Sequence, residues 1–393
     1  MAAKRLRTGF TTGACAAAAA KGATLILLGK PVREAELRLP WESATGSTVR
    51  FPLVGVRRGD RWASCGVAKD AGDDPDVTDG VEIRASVRWE DEFPGLQRIV
   101  HSEPLFRVRS EAAGPVSIRL EGGEGVGRVT RPGLPVPVGE PAINPVPRRM
   151  IEAAVREALD AAGFAGRGAL LVVIRVPRGA ELAEKTLNAR LGILGGLSIL
   201  GTTGIVIPMS ADAWKATIDS ALDVARAAGL VLAVLSHGRS SEAAAQQQLR
   251  HLPPEAFVLM GDHVGHALDG ASARGLGVVL AGQFAKFCKV AGGHFETHVR
   301  DSALDLQVLA EILREAGFSE AEADRALRAN TAREVFQRLE REGDRRAFRV
   351  LVRSVAERAS ARVQGAIPVE AILFGYDRTP LASWRCQSAG GDS

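Results

Sequence analysis

Six of the seventeen residues in the segment 131–147 are proline, and no other stretch restricts what this chain can fold into so tightly. Proline carries no backbone donor and resists both helix and sheet interiors, so the segment reads as an extended, semi-rigid connector. The texture of the sequence changes across it. Upstream, short alternating runs at 36–39, 49–56, 81–87 and 116–120 are separated by Gly, Pro and Asp turns, as strands are. One helix is expected there: Thr11, Thr12 and Gly13 precede an alanine run at 14–20 of high helix propensity, with a threonine hydroxyl as N-cap. Downstream, Ile151, Ala154, Val155, Ala158, Leu159 and Ala162 recur at helical spacing and Gly163 supplies a stop. Apolar runs at 169–176, 205–207, 230–235, 256–260 and 276–280 then alternate with helical patterns, notably at 212–228, where Trp214, Ile218, Leu222 and Ala225 share a face. Such alternation argues for a parallel sheet covered on both faces. The stretch 302–362 is helical and heavily charged, and 369–374 reads as a last strand. The expected organisation is an α+β domain over residues 1–147 and an α/β domain, with a helical C-terminal part, over 148–393.

Composition narrows the function classes. A chain of 393 residues, 46% hydrophobic and 24% charged, suits a globular protein of two or three domains. The formal charge of +4 is too weak a bias for a nucleic-acid partner. Cys15, Cys65, Cys288 and Cys386 show neither a C-x-x-C pair nor zinc spacing, which fits a reducing cytosol. The apolar opening at 14–20 is broken by Lys21 and resumes only over 23–28, short of the ~20 residues a membrane span needs. A cytoplasmic protein without a membrane partner is expected, and the sequence leaves a homo-oligomer open.

Several motifs carry groups suited to ligands. The segment 190–209 places Gly192, Gly195, Gly196, Gly201 and Gly204 beside Ser198, Thr202 and Thr203. Glycines let backbone approach a ligand and hydroxyls bond ribose or carboxylate oxygens, but the spacing matches neither G-x-G-x-x-G nor a Walker loop, and tight turns between buried strands explain it equally well. Residues 124–133 carry Arg128 and Arg131 on a glycine-rich turn, with Asn144, Arg148 and Arg149 just downstream, a set that could cradle a polyanion. The stretch 69–80 concentrates five aspartates but lacks the glycine and glutamate of a calcium loop, so turn and cap roles are expected and no metal site is assigned. In the segment 292–298, His294 and His298 would share a face if helical, flanking Thr297; the order H-x-E-x-H is not the zinc-protease pattern. Asp262 falls just past a predicted strand, where open parallel sheets hold ligands, and His237 occupies a similar position.

Taken together, the segments LRTGFTTGACAAAAAKGA, KDAGDDPDVTDG, GVGRVTRPGL with AINPVPRRMI, KTLNARLGILGGLSILGTTGIVIPMS and KVAGGHFETH resemble the CbiD-type cobalt-precorrin-5B C1-methyltransferases of anaerobic cobalamin biosynthesis. The resemblance runs in order from Leu6 to about His298, with Ala14, Gly22 and His263 as departures. It implies methyl transfer from S-adenosyl-L-methionine to ring carbon C1 of a corrinoid, with cobalt arriving only within the substrate. It also implies a two-layer α+β sandwich joined to a Rossmann-like α/β domain with a mainly parallel sheet. On that basis Gly192, Gly195, Gly196, Ser198, Gly201, Thr202, Thr203, Gly204 and Asp262 are expected to hold the donor. Thr11, Thr12, Arg128, Arg131, Asn144, Arg148, Arg190, His294, Thr297 and His298 are expected to line the substrate side, with Asp262 and His294 as acid–base groups. Two other classes stay open: a nucleotide-dependent phosphotransferase, against which the missing Gly-Lys-Ser/Thr counts, and a non-catalytic tetrapyrrole or cobalt carrier.

Overall fold

The computed structural model describes residues 6–40, 48–90, 108–109, 116–298 and 306–386. It divides into two compact units, Met1–Ser210 and Ala211–Ser393.

The first unit is organised around the alanine helix, Thr12–Leu27, of which every residue but Lys21 and Leu25 is buried. Alanines bring neighbouring backbones close, and this helix packs against the helix Pro145–Ala162 and against the strands Trp62–Ala68 and Glu82–Trp89. Thr11 caps it by accepting a 3.2 Å bond from the Ala14 amide. A six-stranded mixed sheet runs in the order 54–58, 62–68, 82–89, 168–175, 116–122, 108–109. Alternate residues such as Cys65, Ala85, Ile118 and Val172 turn to the helices and form one core with Ile151 and Val155.

The strand Gly168–Arg175 lies in the middle of this sheet, antiparallel to Glu82–Trp89 and parallel to Val116–Gly122. The division therefore falls after Ser210 and not after Pro147. The proline-rich segment is not a connector between units: its backbone is bound into the first one, through Gly139 N to Val129 O at 2.7 Å, Ala142 N to Gly127 O at 2.7 Å and Asn144 N to Ile199 O at 2.9 Å. Prolines locked the local conformation, and long-range bonds used it. The run 205–207 likewise is no buried strand of a parallel sheet; Ile205–Val206 pairs antiparallel with Gly9–Phe10, and Ile207 is exposed.

The second unit contains a five-stranded sheet in the order 257–259, 232–236, 277–283, 369–374, 380–386, parallel except for the last strand. Its alternation sorts two cores. Ala233, Leu235, Val278, Leu280 and Leu373 pack under the helices Val264–Ala273, Phe284–Ala291 and Arg346–Arg362. Val234, Val279, Ala281 and Ile372 face the helix Arg239–Gln248 on the other side. The charged stretch resolves into separate helices, Leu306–Glu315, Glu320–Leu327, Ala332–Glu342 and Arg346–Arg362. Among the described residues no helix is long and apolar enough to cross a membrane.

Close packing around the alanine helix makes a size prediction. Ala19 is fully buried and its carbonyl lies 3.2 Å from Cys65 Sγ. Ala19→Leu should cost about 1–3 kcal/mol in urea-induced unfolding, because added methylenes force the surrounding side chains off their rotamers.

Candidate functional site

In the second unit the strand Leu232–Ser236 lies between the strand that follows it, Phe257–Leu259, and the next, Gly277–Gln283. The chain leaves Leu232–Ser236 toward Phe257–Leu259 on one side and leaves Gly277–Gln283 toward Val369–Phe374 on the other, so the connections diverge between the carboxyl ends of these two neighbouring strands, the place where open parallel sheets take ligands. Ser236 and His237 occupy the first of those ends. Ser236 Oγ is buried without a hydrogen-bond partner, and both ring nitrogens of His237 are buried, with the Ala281 backbone acting on the ring. Burial, followed by the charge of Lys286, pushes His237 from its ordinary 6.5 down to about 4, against the weaker opposing pull of Asp262. The imidazole is thus neutral at physiological pH. Its ring meets the edge of Phe287 at 5.9 Å.

Asp262 follows the strand Phe257–Leu259, as its sequence position implied. Its Oδ1 accepts from Lys286 Nζ and, at 2.7 Å, from Thr297 Oγ1. Burial opposes ionisation, but these two bonds and the lysine charge together hold the carboxyl below the usual range. Thr297 is fully buried, and its carbonyl accepts from Lys286 at 3.0 Å and Lys289 at 2.9 Å. Its amide returns a 3.0 Å bond to the Asp262 carbonyl. Next to it Glu296 holds His263 Nδ1 at 2.7 Å, and Arg362 lies 4.9 Å over the Phe295 ring. The segment 292–298 is thereby fastened across the start of the helix Val264–Ala273.

Lys286 and Lys289 had no place among the expected site residues. Both lie on the helix Phe284–Ala291, three apart in a chain whose cations are mostly arginine, and that spacing is the signal that puts them on one face. The paired-histidine expectation is corrected. The helix ends at Ala291, so the four-residue spacing of His294 and His298 places them on no common helical face; His294 is exposed at the turn. Thr297, between them, is the residue that points inward.

In the first unit the glycine-rich segment is committed to packing. Leu197 N bonds Gly125 O at 2.9 Å and Gly127 N bonds Leu197 O at 2.8 Å, so a Cβ at Gly196 would fall within the Gly125 backbone. A Cβ at Gly201 would strike Thr11, and one at Gly204 would press on Leu39. Gly192 is covered by the Arg131 stem, whereas Gly195 faces open space. Ser198 Oγ donates to Asn188 Oδ1 at 3.3 Å, and Thr203 bonds within its own turn. Thr12 Oγ1 receives the Leu200 amide at 2.9 Å, and Thr11 is the helix cap, so both threonines are buried parts of the framework.

The arginines divide similarly. Arg148 spends its fork on Glu140 at 2.7 Å, Ile143 O at 2.6 Å and Pro141 O at 3.2 Å, and Arg128 donates to Gly139 O. Arg131 is half-buried, Arg190 is exposed, and Asn144 starts the helix Pro145–Ala162 without a side-chain capping bond. The aspartates at 70–79 act as caps and ion pairs: Asp76 holds buried Lys69 at 2.7 Å, Asp79 takes the Ala71 amide at 2.8 Å, and Asp74 takes the Met209 amide at 2.8 Å. Among the described residues no cluster suits a metal ion.

A mixed sheet under two helices, together with a mainly parallel sheet whose carboxyl edge carries an acid–lysine–threonine cluster, defines a two-unit protein of mixed α/β structure. Residues 1–208 match the family model CbiD, and residues 296–385 match CbiD, C-terminal domain. A Cobalt-precorrin-5B C(1)-methyltransferase of Geobacter metallireducens is 49% identical over 96% of this chain and 98% of its own length. One of Geobacter sulfurreducens is 48% identical over 97% and 99%. A crystal structure of cobalamin biosynthesis protein (cbiD) from Archaeoglobus fulgidus is 25% identical, covering 80% of this chain and 85% of that one, with a TM-score of 0.36. The chain belongs to the CbiD family.

The buried imidazole generates a pH prediction. The unfolded chain takes up a proton on His237 below its ordinary 6.5, whereas the folded protein does so only near 4. Stability contributed by the neutral ring is complete above the first value and is lost as pH falls toward the second. His237→Phe should flatten urea-measured stability across that window by up to about 3 kcal/mol relative to the wild type.

Proposed function

We propose that this chain transfers a methyl group to C1 of cobalt-precorrin-5B, the activity its relatives' names give, that S-adenosylmethionine is the donor, and that the donor binds at the carboxyl edge of the parallel strands of the second unit. The supporting observation is a pair of buried polar groups, Ser236 Oγ, which has no hydrogen-bond partner, and the neutral ring of His237, at the carboxyl end of the strand Leu232–Ser236. Buried polar atoms rarely stay unpaired, and these lie where open parallel sheets take ligands. On this assignment the second unit is Rossmann-like and the first a two-layer sandwich.

The donor supplies a methyl carbon on cationic sulfur; an electron-rich ring carbon takes that carbon, the sulfur–carbon bond breaks, and the substrate loses one proton overall. What the chain must provide is alignment, for which ~7–11 kcal/mol is available in principle. Asp262 remains ionised and engages its protein partners through Oδ1, so Oδ2 suits hydroxyl donors such as a ribose pair. A Cβ at Gly238 would meet nothing within 4 Å, which leaves approach to the start of the helix Arg239–Gln248 open. His237 offers a hydrogen bond from a neutral ring, adding no positive charge beside a sulfonium. Its lowered pKa, like that of Asp262, makes it a poor base, so Asp262 orients the donor and exposed His294 is the group assigned to carry the proton away.

The test is a methyl-transfer assay with donor labelled on the methyl carbon. Label should enter the tetrapyrrole in step with S-adenosylhomocysteine, without ATP. Asp262→Asn should weaken donor binding by tenfold or more in calorimetry, about 1.4 kcal/mol, with its circular dichroism unchanged. Tetrapyrrole binding without turnover would instead favour a carrier, and undiminished donor affinity in the variant would remove Asp262 from the site.

A further inference from the structure

The first unit contains a groove of about 390 Å³ that, of the residues singled out in the sequence, only Thr202 and Arg149 line. It runs between the helices Thr12–Leu27 and Pro145–Ala162 and residues 37–40. Its floor is apolar, built from Ala17, Leu39, Met150 and Ala154. Burial alternates along one wall at the end of the strand Glu34–Leu37: Leu37 and Leu39 are buried in the core and Arg38 between them is exposed. On the helix, Ile151 is buried while Arg149 is exposed toward the groove lining.

Charge tells what the groove fits. Unlike Arg128 and Arg148, Arg38 and Arg149 meet no hydrogen-bond or ion-pair partner among the described residues. The acid of the lining, Glu157, is already held by Lys21 at 2.7 Å. Two unspent guanidinium forks over an apolar floor match a flat, apolar ring edge that carries carboxylates. Inorganic phosphate would satisfy the forks and leave the floor unused.

We infer that this groove binds one pyrrole edge of the cobalt tetrapyrrole, with its ring on the apolar floor and its acetate and propionate carboxylates on Arg38 and Arg149, an assignment that rests on the proposed substrate. The volume suits one such edge and its arms, not the whole macrocycle. The arginines act in binding and touch no reacting carbon.

Arg38→Gln, Arg149→Gln and the double variant test it in the full chain, beside Arg149→Lys. In steady state, the double variant should raise KM for cobalt-precorrin-5B about tenfold while kcat and the donor KM stay at wild-type values, and Arg149→Lys should recover part of the loss. An unchanged KM in the double variant, with wild-type turnover intact, overturns the groove. Should the wild type itself not turn over, the methyl-transfer proposal fails separately. Equilibrium titration with cobyrinic acid, a carboxylated cobalt corrinoid, then decides the groove alone: affinity lost in the double variant supports it, and equal affinity overturns it.

Discussion

Two lysine ammoniums converge on one backbone carbonyl, that of Thr297, while the hydroxyl of the same residue and one of the lysines grip Asp262. The arrangement of the sheet's carboxyl edge in the second unit depends on this knot. It ties a segment without regular structure to the helix Phe284–Ala291 on one side and to the loop after Phe257–Leu259 on the other. An ionised carboxylate is kept in a partly buried place because its charge is met at once by a lysine and a hydroxyl. Lys286 serves both acceptors, so removing it would take one bond from each at once and leave Thr297 Oγ1 on the carboxylate and Lys289 on the carbonyl.

Order in the first unit has a different source. Its framework is backbone against backbone, possible because glycine stands wherever two chains nearly touch, as Gly196 does against Gly125. The alanine helix follows the same rule of small side chains, letting a second helix and two strands close around it. Rigidity of that kind frees other side chains. Arg148 and Arg128 are consumed in bracing the proline-rich loop, and Arg38 and Arg149 are left to face outward over an apolar floor.

Much of this was legible from the residues alone. The helix beginning at Thr12, the helix closed by Gly163, the buried strands near 232 and 277, and the strand-end place of Asp262 all follow from periodicity and caps. Proline content misled about the domain boundary, since local stiffness does not reveal whether a segment spans two units or is bound into one. Glycine spacing was ambiguous for a related reason: a backbone that approaches a ligand and one that approaches another backbone need the same residue. The four-residue spacing of His294 and His298 implied a shared face only if the helix continued, and it stops at Ala291. Lys286 and Lys289 went unnoticed because their meaning lies in a carbonyl that only the tertiary fold brings to them.

Charge state links the proposed donor site to its chemistry. A sulfonium donor would be repelled by an imidazolium and is compatible with a neutral ring, which is what burial and Lys286 enforce at His237. The most direct measurement is NMR of histidine ring carbons in the full chain during titration with S-adenosylmethionine. A donor lodged at the end of the strand Leu232–Ser236 predicts a saturable shift of the His237 signal, with the ring remaining neutral. A His237 signal that stays still while the donor demonstrably binds would contradict the account.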